Sequence, residues 1–575
     1  MSHRPGIRLQ ALIGRWSLAI FALFAAFTAS GAVAGTPPGA ACATAHSLAT
    51  AACMEVLADG GNAFDAAVAA SAALAVVEPT GSGLGGGGFW LLHRAADGQD
   101  IFVDGREVAP MAASRDMYRD ADGAVDPQRS RFGPKAAGIP GEPAALAHIA
   151  GKYGRKPFGE LLAPAIRYAD AGFEVDPKLA AMIGYFAERM SWAAKRVFVP
   201  DGKPLVTGDV LRQQDLAWTL RRMAEHGAAD FYGGQIAERL LKASRAAGGL
   251  WTEEDLRRYR VVEREPVVTY FRDYRIVSAP PPSAGGLALA QVLQQLESLD
   301  WHDDDSPRAQ HLLVEALRRA YRDRAAWLGD PDFVEIPMRH LSARSYALEL
   351  ARTIDPVHAT PSSTLPPAQP SPEGTNTTHL SVLDADGNRV AATLSINLPF
   401  GSGFMAPATG VLFNDEMDDF ASAPGEPNAY GLVGSEPNAI MPRKRPLSSM
   451  TPTFVEGPRG LLIVGTPGGS RIVSMVIQAV LSWTGGRPLE AVVARPRLHH
   501  QYLPDVVQVE PGDAATPMHD ALAPFGHTVD VYSRHWGNMQ AVAWDVPAGV
   551  VEAASDPRGV GAASVRPGDV SGSAR

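Results

Sequence analysis

The spacing of hydrophobic residues predicts helices first and a β-hairpin afterwards in the amino-terminal part of the chain. The segments AHSLATAACMEVLADGG and NAFDAAVAASAALAVVEP carry apolar residues at helical intervals. The second is so rich in alanine that it should pack closely on a flat surface such as a β-sheet. Next, GGGFWLLHRAADGQDIFVDGRE predicts a hairpin with its turn at Asp97-Gly98. Residues 143–330 are mostly helical in pattern, with one strand segment in VVTYFRDYRIVSAP.

Residues 361–376 separate this half from a second half with a different pattern. They begin with PSSTLPPAQPSPEG, a low-complexity run that predicts a flexible linker. Beyond it, short strands with Gly and Pro turns are interrupted by the helix SRIVSMVIQAVLSW. Because strands occur on both sides of the linker and helices flank them, the pattern favours one layered α/β domain with helices outside paired sheets. Two independent domains are the alternative.

Composition and charge narrow the class of partner. The chain has 575 residues, of which 46% are hydrophobic and 20% charged, so it can bury a large core. Its formal net charge is -10, from 52 basic and 62 acidic residues, and no block of Lys and Arg occurs. This balance argues against nucleic acid as a partner and favours a small molecule or a peptide.

Residues 1–34 predict an export signal. Three arginines precede an apolar run from Leu18 to Phe27, and a small-residue cleavage site ends at Ala34. The apolar run is too short for a comfortable membrane span, so cleavage is favoured over retention as an anchor. We therefore expect an exported protein, periplasmic or secreted, with no stable membrane anchor.

The cysteines and histidines give no evidence of a metal centre. Cys42 and Cys53 are too few for a disulfide framework or a multi-cysteine site. One bridge between them is possible, although the helical pattern around Cys53 favours a small buried core residue, and the sequence leaves this open. His499 and His500 are adjacent, and adjacent strand residues point to opposite faces. Neither a metal nor another cofactor is predicted.

The glycine-rich run GSGLGGGG, residues 81–88, contains the Gly-x-Gly-x-x-Gly spacing of dinucleotide sites. Such a site needs a strand before the run and a helix after it. Here a helical segment precedes the run and the strand FWLL follows it. The context instead predicts a tight turn with close backbone packing.

Asn376-Thr377-Thr378 raises two interpretations. In an exported chain it is a glycosylation sequon. It also begins a predicted hairpin whose turn lies near Asp386-Gly387, and antiparallel pairing places Ser395 opposite Thr377 or Thr378. Two hydroxyls then meet just after the linker, which suits a threonine freed at its amino side. Its own α-amine, with a pKa of about 7.7–8.0, would serve as the base.

Several longer motifs occur in a fixed order from about Ala45 to Arg558. They are GGNAFDAAVA, DGREVAP, TNTTHLSVLDADGNRVAATLSIN, GVLFNDEMDDF, PNAYGLVGSEPNAIMPRKRPLSSMTPT, GTPGGSRI, RPRLHHQYLPD and ASDPR. Together they resemble the gamma-glutamyltransferases, which belong to the N-terminal nucleophile hydrolases. The resemblance implies an α+β fold, a four-layer αββα sandwich in which two chains form one intertwined domain after self-cleavage.

The resemblance also implies a reaction. The precursor would cleave itself before Thr377, giving a large subunit of residues 35–376 and a small subunit of residues 377–575. Thr377 would then attack the γ-amide of glutathione or a related γ-glutamyl compound. The resulting ester passes its γ-glutamyl group to water or to an amino acid or dipeptide. The partners implied are these small molecules and the two subunits of one precursor.

The matching motif positions imply the site residues. Gly468 and Gly469 match the oxyanion hole, where glycines let backbone N–H groups approach. Ser395 stands where the family usually has threonine, so the hydroxyl beside the nucleophile is kept. Arg106 is implied to bind the α-carboxylate of the substrate. Asn397, Glu416 and Asp419 are implied to bind its α-ammonium. The other implied contacts are Ser448, Ser449 and Tyr430, the last on an expected lid.

Two alternatives remain from the sequence. The first is a cephalosporin or glutaryl acylase of the same family. The acids Glu416 and Asp419 argue against it, because a glutaryl group lacks the α-ammonium that they would bind. The second is an exported binding protein in which Asn376 is only glycosylated. The sequence does not reveal the preferred acceptor.

Overall fold

The computed structural model describes residues 35–302, 305–368, 376–421 and 436–568. Within these ranges no helix is long and apolar enough to cross a bilayer. The α-helices are, in chain order, α1 Ser47–Ala58, α2 Ala63–Val77, α3 Glu142–Tyr153, α4 Phe158–Leu161, α5 Ala163–Ala171, α6 Pro177–Phe186, α7 Trp192–Phe198, α8 Gln214–His226, α9 Ala229–Gly233, α10 Gln235–Ala246, α11 Glu253–Arg258, α12 Gly285–Ser298, α13 Pro307–Trp327, α14 Met338–Leu341, α15 Arg344–Arg352, α16 Arg471–Thr484, α17 Leu489–Ala494 and α18 Ala515–Leu522.

The strands come from both halves of the chain. They are β1 Gly39–Thr44, β2 Gly87–Arg94, β3 Gln99–Gly105, β4 Phe173–Glu174, β5 Val210–Leu211, β6 Val262–Arg264, β7 Val267–Phe271, β8 Tyr274–Ser278, β9 Asn376–Leu383, β10 Arg389–Asn397, β11 Thr453–Gly457, β12 Gly460–Gly465, β13 Leu498–His499, β14 Val507–Val509, β15 Val529–Val531, β16 Gln540–Asp545, β17 Val550–Ser555 and β18 Ala562–Pro567.

A seven-stranded sheet, ordered β18-β1-β9-β10-β2-β3-β6, carries the predicted Thr377 hairpin at its centre. Its central strand β10 is buried on both faces, and successive side chains point to opposite sides. Val390 and Ala392 pack with the helices on one side, whereas Ala391 packs towards the second sheet. The alanine-rich helix α2 lies on the first side, with every residue buried, as its composition predicts.

A six-stranded antiparallel sheet, ordered β17-β16-β12-β11-β8-β7, faces the other side of the first sheet. Phe89 and Phe102 of the first sheet share a core with Phe454 and Ile463 of the second. Helices α12, α13 and α16 pack in the same core. Because each large sheet contains strands from before and after residue 376, the alternative of two independent domains is wrong.

Several local predictions are confirmed. The first hairpin turns at Asp97-Gly98, between β2 and β3, and the second turns at Asp386-Gly387, between β9 and β10. The glycine run is a turn pressed against the sheet: a Cβ at Gly86 would collide with the carbonyl oxygen of Ser395. A side chain there would therefore displace the strand that carries a predicted site residue.

Two features differ from expectation or resolve an open question. Within the predicted linker, Ser362 is buried and its Oγ donates to the carbonyl of Tyr502 at 2.7 Å, whereas residues 363, 364, 366 and 367 are exposed. The rest of the predicted linker up to residue 375, like the predicted signal at 1–34, lies outside the described residues. Cys42 and Cys53 form a disulfide that joins β1 to α1.

Candidate active site

The β9–β10 hairpin places the predicted nucleophile directly opposite Ser395. Thr377 is the second residue of β9, and its Cα partner in the antiparallel register is Ser395. The Thr377 hydroxyl is buried and has no hydrogen-bond partner among the described residues. An unpartnered hydroxyl at this depth is unusual in a folded protein, and it is free to react with a neighbouring carbonyl.

The carbonyl that precedes Thr377 is held by a short hydrogen-bond relay. Ser395 Oγ donates to the Asn376 carbonyl oxygen at 3.1 Å, and it accepts from the Asn397 backbone N–H at 2.8 Å. Asn397 adopts a positive φ of 75°, where the strand pairing is interrupted by a bulge. The bulge thus turns a backbone N–H towards the serine hydroxyl, which in turn polarises the Asn376–Thr377 peptide carbonyl.

Gly468 and Gly469 form the turn between β12 and α16, with φ values of 143° and 59°. Such values favour glycine, since a Cβ is strained there. Gly469 lines a pocket together with Thr377, and Gly468 lines a second pocket that also contains Thr377. The two predicted oxyanion-hole glycines therefore flank the nucleophile.

The first of these pockets, which we call the Arg106 pocket, gathers most of the predicted substrate-binding residues. It leaves only about 20 Å³ of free space. Besides Asn376 and Thr377, its walls include Arg106, Ser395, Asn397, Asp419, Ser448, Ser449 and Gly469. The structure thus brings together residues that are separated by more than 300 positions in the chain.

Arg106 fills much of this pocket through ion pairs with three carboxylates. Its Nη1 lies 2.8 Å from Glu416 Oε2 and 3.6 Å from Glu107 Oε2, and its Nη2 contacts Asp419. Glu416 and Asp419 reach it from one turn of 3-10 helix, Glu416–Asp419, which confirms the predicted common side. The arginine side chain is only 1% exposed.

Burial and charge oppose each other in this cluster. Burial lowers the pKa of Arg106, but the three carboxylates outweigh it and hold the pKa above its usual value. Burial raises the pKa of Glu416 to about 7 and that of Glu107 to about 8, in each case against the effect of Arg106. A single arginine therefore faces three acids, two of which are partly protonated near neutral pH, and an added cation near them would favour their charged forms.

The remaining predicted contacts have defined partners. Asn397 Nδ2 donates to the Asp415 carbonyl at 2.9 Å, whereas Asn397 Oδ1 is buried without a partner among the described residues. Ser448 Oγ accepts from the Met450 N–H at 3.1 Å, so this loop is held by its own backbone. Tyr430 and the expected lid lie outside the described residues.

The second pocket, which we call the Arg471 pocket, shares Asn376 and Thr377 with the first. Its volume is about 270 Å³. Lys178 of α6, Arg471 of α16 and the loop of residues 532–538 form much of its wall. Neither Arg471 nor Glu107 was predicted from the sequence as a site residue, although both stand inside the quoted motifs GTPGGSRI and DGREVAP.

Away from this site, the described residues include one buried cluster of side chains of the kinds that can bind a metal ion. Potential ligand atoms of His311, Glu315 and His527 lie within 4.8 Å of one another. However, the Glu315 carboxylate already accepts from Arg319 at 2.7 Å and from Arg318 at 3.2 Å. Two arginines so close oppose an added cation, so the group is better described as part of an ion-pair network.

Comparisons with known proteins agree with this geometry. The family model described as Gamma-glutamyltranspeptidase matches residues 49–566. The chain is 41% identical over 515 residues to the glutathione hydrolase proenzyme of Escherichia coli (strain K12), covering 88% of each chain. It is 40% identical over 548 residues to the proenzyme of that name from Pseudomonas aeruginosa, covering 93% of this chain and 96% of the relative.

Two of the solved structures similar to this chain carry names of different reactions. A cephalosporin acylase from Bacillus halodurans superposes with a TM-score of 0.81 at 29% identity, covering 94% of this chain and 97% of its own. A gamma-glutamyltranspeptidase from Helicobacter pylori gives a TM-score of 0.56 at 39% identity, covering 58% of this chain and 97% of its own. Structural similarity alone therefore leaves the reaction of this chain to be argued from its residues.

Proposed function

The chain belongs to the gamma-glutamyltranspeptidase family, and we propose that it is a self-processing γ-glutamyl transferase and glutathione hydrolase with Thr377 as its nucleophile. The single observation that carries the proposal is the Thr377 hairpin. An unpartnered threonine hydroxyl lies next to a peptide carbonyl that Ser395 already polarises.

Self-cleavage follows from this arrangement. The Thr377 hydroxyl attacks the Asn376 carbonyl carbon, and Ser395 Oγ stabilises the charge that develops on the carbonyl oxygen. The C–N bond breaks, the hydroxyl proton passes to the departing nitrogen, which becomes the α-amine of Thr377, and water hydrolyses the resulting ester. This releases a large subunit ending at Asn376 and a small subunit of residues 377–575.

Turnover uses the same hydroxyl with a new base. The neutral α-amine of Thr377 takes the hydroxyl proton as the oxygen attacks the γ-carbonyl of the donor. Backbone N–H groups of the Gly468-Gly469 turn stabilise the oxyanion. The donor amine leaves with a proton, and the γ-glutamyl ester is then transferred to water or to an acceptor amine.

Donor recognition follows from the ion pairs of the Arg106 pocket. The α-carboxylate of a γ-glutamyl group replaces Asp419 on Arg106, while the α-ammonium pairs with the released Asp419 and with Glu416. One internal ion pair is thus exchanged for three pairs with the zwitterion, and no charge is left buried alone. Asn397, Ser448, Ser449 and Tyr430 complete the proposed contacts.

The acylase alternative is less well supported. The likeness to the Bacillus halodurans enzyme is close in shape, but its identity of 29% is lower than the 40–41% shared with glutathione hydrolase proenzymes. A glutaryl group would take Arg106 from Asp419 without supplying a cation in return. That leaves a carboxylate unpaired in a closed pocket, which is costly.

The finer architecture and the location are part of the same proposal. The packed helices and facing sheets form a four-layer αββα sandwich, in which the two chains produced at Thr377 remain one intertwined domain. We infer that residues 1–34 direct export and are removed, giving a periplasmic or secreted enzyme. The Cys42–Cys53 disulfide supports an oxidising compartment.

The test is purification of the full precursor followed by a denaturing gel, amino-terminal sequencing and assay with γ-glutamyl-p-nitroanilide. We expect two chains, the smaller beginning at Thr377, and release of p-nitroaniline. An intact single chain without activity would favour the binding-protein alternative and reject the proposal.

A further inference from the structure

Another cavity, which we call the Arg443 pocket, adjoins the backbone that carries Arg106. Its volume is about 480 Å³, which is within the range of small-ligand sites. It shares no wall residue with the Arg106 pocket or the Arg471 pocket. Its wall residue Tyr259 donates a hydroxyl hydrogen bond to the Arg106 carbonyl at 2.9 Å. The cavity is therefore a separate space with a wall of its own beside the proposed active site.

The carboxylates in the wall of the Arg443 pocket are already bound within the protein. Asp255 accepts from the Met111 N–H at 2.7 Å and from the Thr252 N–H and hydroxyl at 2.9 and 2.6 Å. Asp332 accepts from two nitrogens of Arg264, at 3.1 and 2.7 Å. A cationic ligand would have to displace these contacts, so the pocket does not favour a cation.

Two arginines of the wall are likewise paired with acids. Arg258 contacts Glu254 through its Nε. Arg445 is buried, and its Nε lies 3.3 Å from Asp104. These two side chains therefore add little net charge to the pocket.

The other two arginines, Arg260 and Arg443, have no acidic partner among the described residues. Arg260 Nη1 donates only to backbone carbonyls, those of Arg257 at 2.8 Å and Tyr259 at 2.6 Å. Arg443 is exposed, and its backbone N–H donates to the Ala109 carbonyl at 2.9 Å, which holds the residue beside the cavity. Two guanidinium groups on one cavity wall can bind an anion such as a carboxylate, sulfonate or phosphate.

The rest of the wall offers apolar surface. Met111 and Phe333 are 41% and 39% exposed, which is high for large hydrophobic residues. Val108, Val262 and Pro442 also line the cavity. Apolar surface next to unpaired cations fits a ligand that has an apolar body and an anionic group.

We propose that the Arg443 pocket binds a small amphipathic anion. Its anionic group pairs with Arg260 and Arg443, and its apolar body packs on Met111 and Phe333. The inference goes beyond γ-glutamyl transfer and does not depend on the role of Thr377, because the two sites share no wall residue.

The test uses two fluorescent probes that differ in charge, the anion 8-anilinonaphthalene-1-sulfonate and the neutral N-phenyl-1-naphthylamine. Each is titrated into the purified enzyme to obtain its Kd. The double substitution Arg260→Gln and Arg443→Gln should raise the Kd of the anion by about tenfold, because two exposed ion pairs are lost, and leave that of the neutral probe unchanged. Phe333→Ala should raise both values by about threefold, because apolar contact is lost.

The matched control is Arg196→Gln. Arg196 is exposed and lies 5.8 Å from the ring of Trp192, so it also places an arginine beside an aromatic side chain, but outside the Arg443 pocket. This variant should bind both probes as the wild type does. If the double variant does not accumulate, Arg443→Gln alone decides, with an expected rise of about threefold for the anion only.

Three results would overturn the inference. The first is an unchanged Kd of the anion in the arginine variants, and the second is an equal loss in Arg196→Gln. The third is displacement of the anion by excess L-glutamate, which would place the probe in the Arg106 pocket. The outcome is independent of p-nitroaniline release, so it is distinguishable from a failure of the proposed function.

Discussion

The two pockets that meet at Thr377 have contrasting electrostatics. In the Arg106 pocket, one arginine faces the carboxylates of Glu107, Glu416 and Asp419, and almost no free space remains. In the Arg471 pocket, a half-buried arginine has only neutral partners among the described residues, and a cavity of about 270 Å³ lies beside it. A γ-glutamyl peptide has a zwitterion at one end and a carboxylate at the other, so the two pockets match its two ends.

The difference shows how one nucleophile can be selective towards one end of its substrate and permissive towards the other. A small pocket with buried charges penalises any ligand that leaves one charge unpaired. A larger pocket whose Arg471 has only neutral partners among the described residues requires only an anionic group in the ligand, and Arg471 itself is half-buried. We therefore expect strict donor selection and broad acceptor selection.

The largest expected effect concerns the atom that both pockets share. Thr377→Ala should remain a single chain and lose turnover by about a millionfold, the scale known for removal of a catalytic nucleophile. A denaturing gel and donor assay measure both effects.

Thr378→Ala is the matched control for this variant. Thr378 is the next residue of the strand, and its side chain points to the opposite face of the sheet, so this variant should still cleave before Thr377. Spontaneous cleavage of Thr377→Ala, or a small subunit beginning at another residue, would contradict the assignment of the nucleophile.

The next effect tests the Arg106 pocket by removing an acid. The wild-type enzyme should prefer γ-glutamyl-p-nitroanilide over glutaryl-p-nitroanilide by about thirtyfold to several thousandfold in kcat/KM, because the glutaryl donor leaves Asp419 unpaired. Asp419→Ala should shrink this preference by damaging the γ-glutamyl reaction far more than the glutaryl one.

Arg106→Ala distinguishes the two charges of the zwitterion. It should slow the γ-glutamyl reaction by removing the α-carboxylate contact. Unlike Asp419→Ala, it removes no contact that is specific to the α-ammonium. Equal rates on the two donors, or a wild-type preference for the glutaryl donor, would favour the acylase alternative.

A smaller effect is expected at Ser395, which assists the scissile carbonyl in the precursor. Ser395→Ala should slow self-cleavage by about ten- to a hundredfold, since one oxyanion donor is lost from a preorganised site. Ser395→Thr keeps the hydroxyl and should be tolerated. The measurement is the time course of subunit appearance after synthesis, and an unchanged time course in the alanine variant would disprove the role of the 3.1 Å hydrogen bond.

The local parts of the fold and site were predictable because short-range rules determine them. The Asp386-Gly387 turn and the strand alternation sufficed to place Ser395 opposite the start of β9. The three-residue spacing of Glu416 and Asp419 likewise predicted their common side. In each case, the interacting residues are close in sequence or joined by one hairpin.

The long-range parts depend on contacts that spacing does not reveal. Only the family resemblance indicated that Arg106 and Asp419 bind the same substrate, and their direct contact across 313 positions was not predicted. Residues 361–368 have a linker composition, yet Ser362 is fixed by Arg318 and Tyr502 from distant segments. Tertiary contacts of this kind override composition, and the charge of Arg471 became informative only once its neighbours were known to be neutral.

The smallest expected effect is a pH dependence of ligand binding in the Arg106 pocket. Burial raises the pKa of Glu416 to about 7, so its carboxylate is charged above that pH and neutral below it. The inhibition constant of L-glutamate, a product that cannot react further, should therefore rise by about three- to tenfold between pH 8 and pH 6. Over the same interval the ligand's α-ammonium only becomes more fully protonated, so its own titration cannot cause the weakening. Glu416→Gln should bind L-glutamate more weakly at pH 8 and lose most of this pH dependence. The pH dependence that remains in the variant is attributed to Glu107, which has a pKa of about 8. A variant that keeps the full wild-type pH dependence would show that Glu416 does not control charge in the Arg106 pocket.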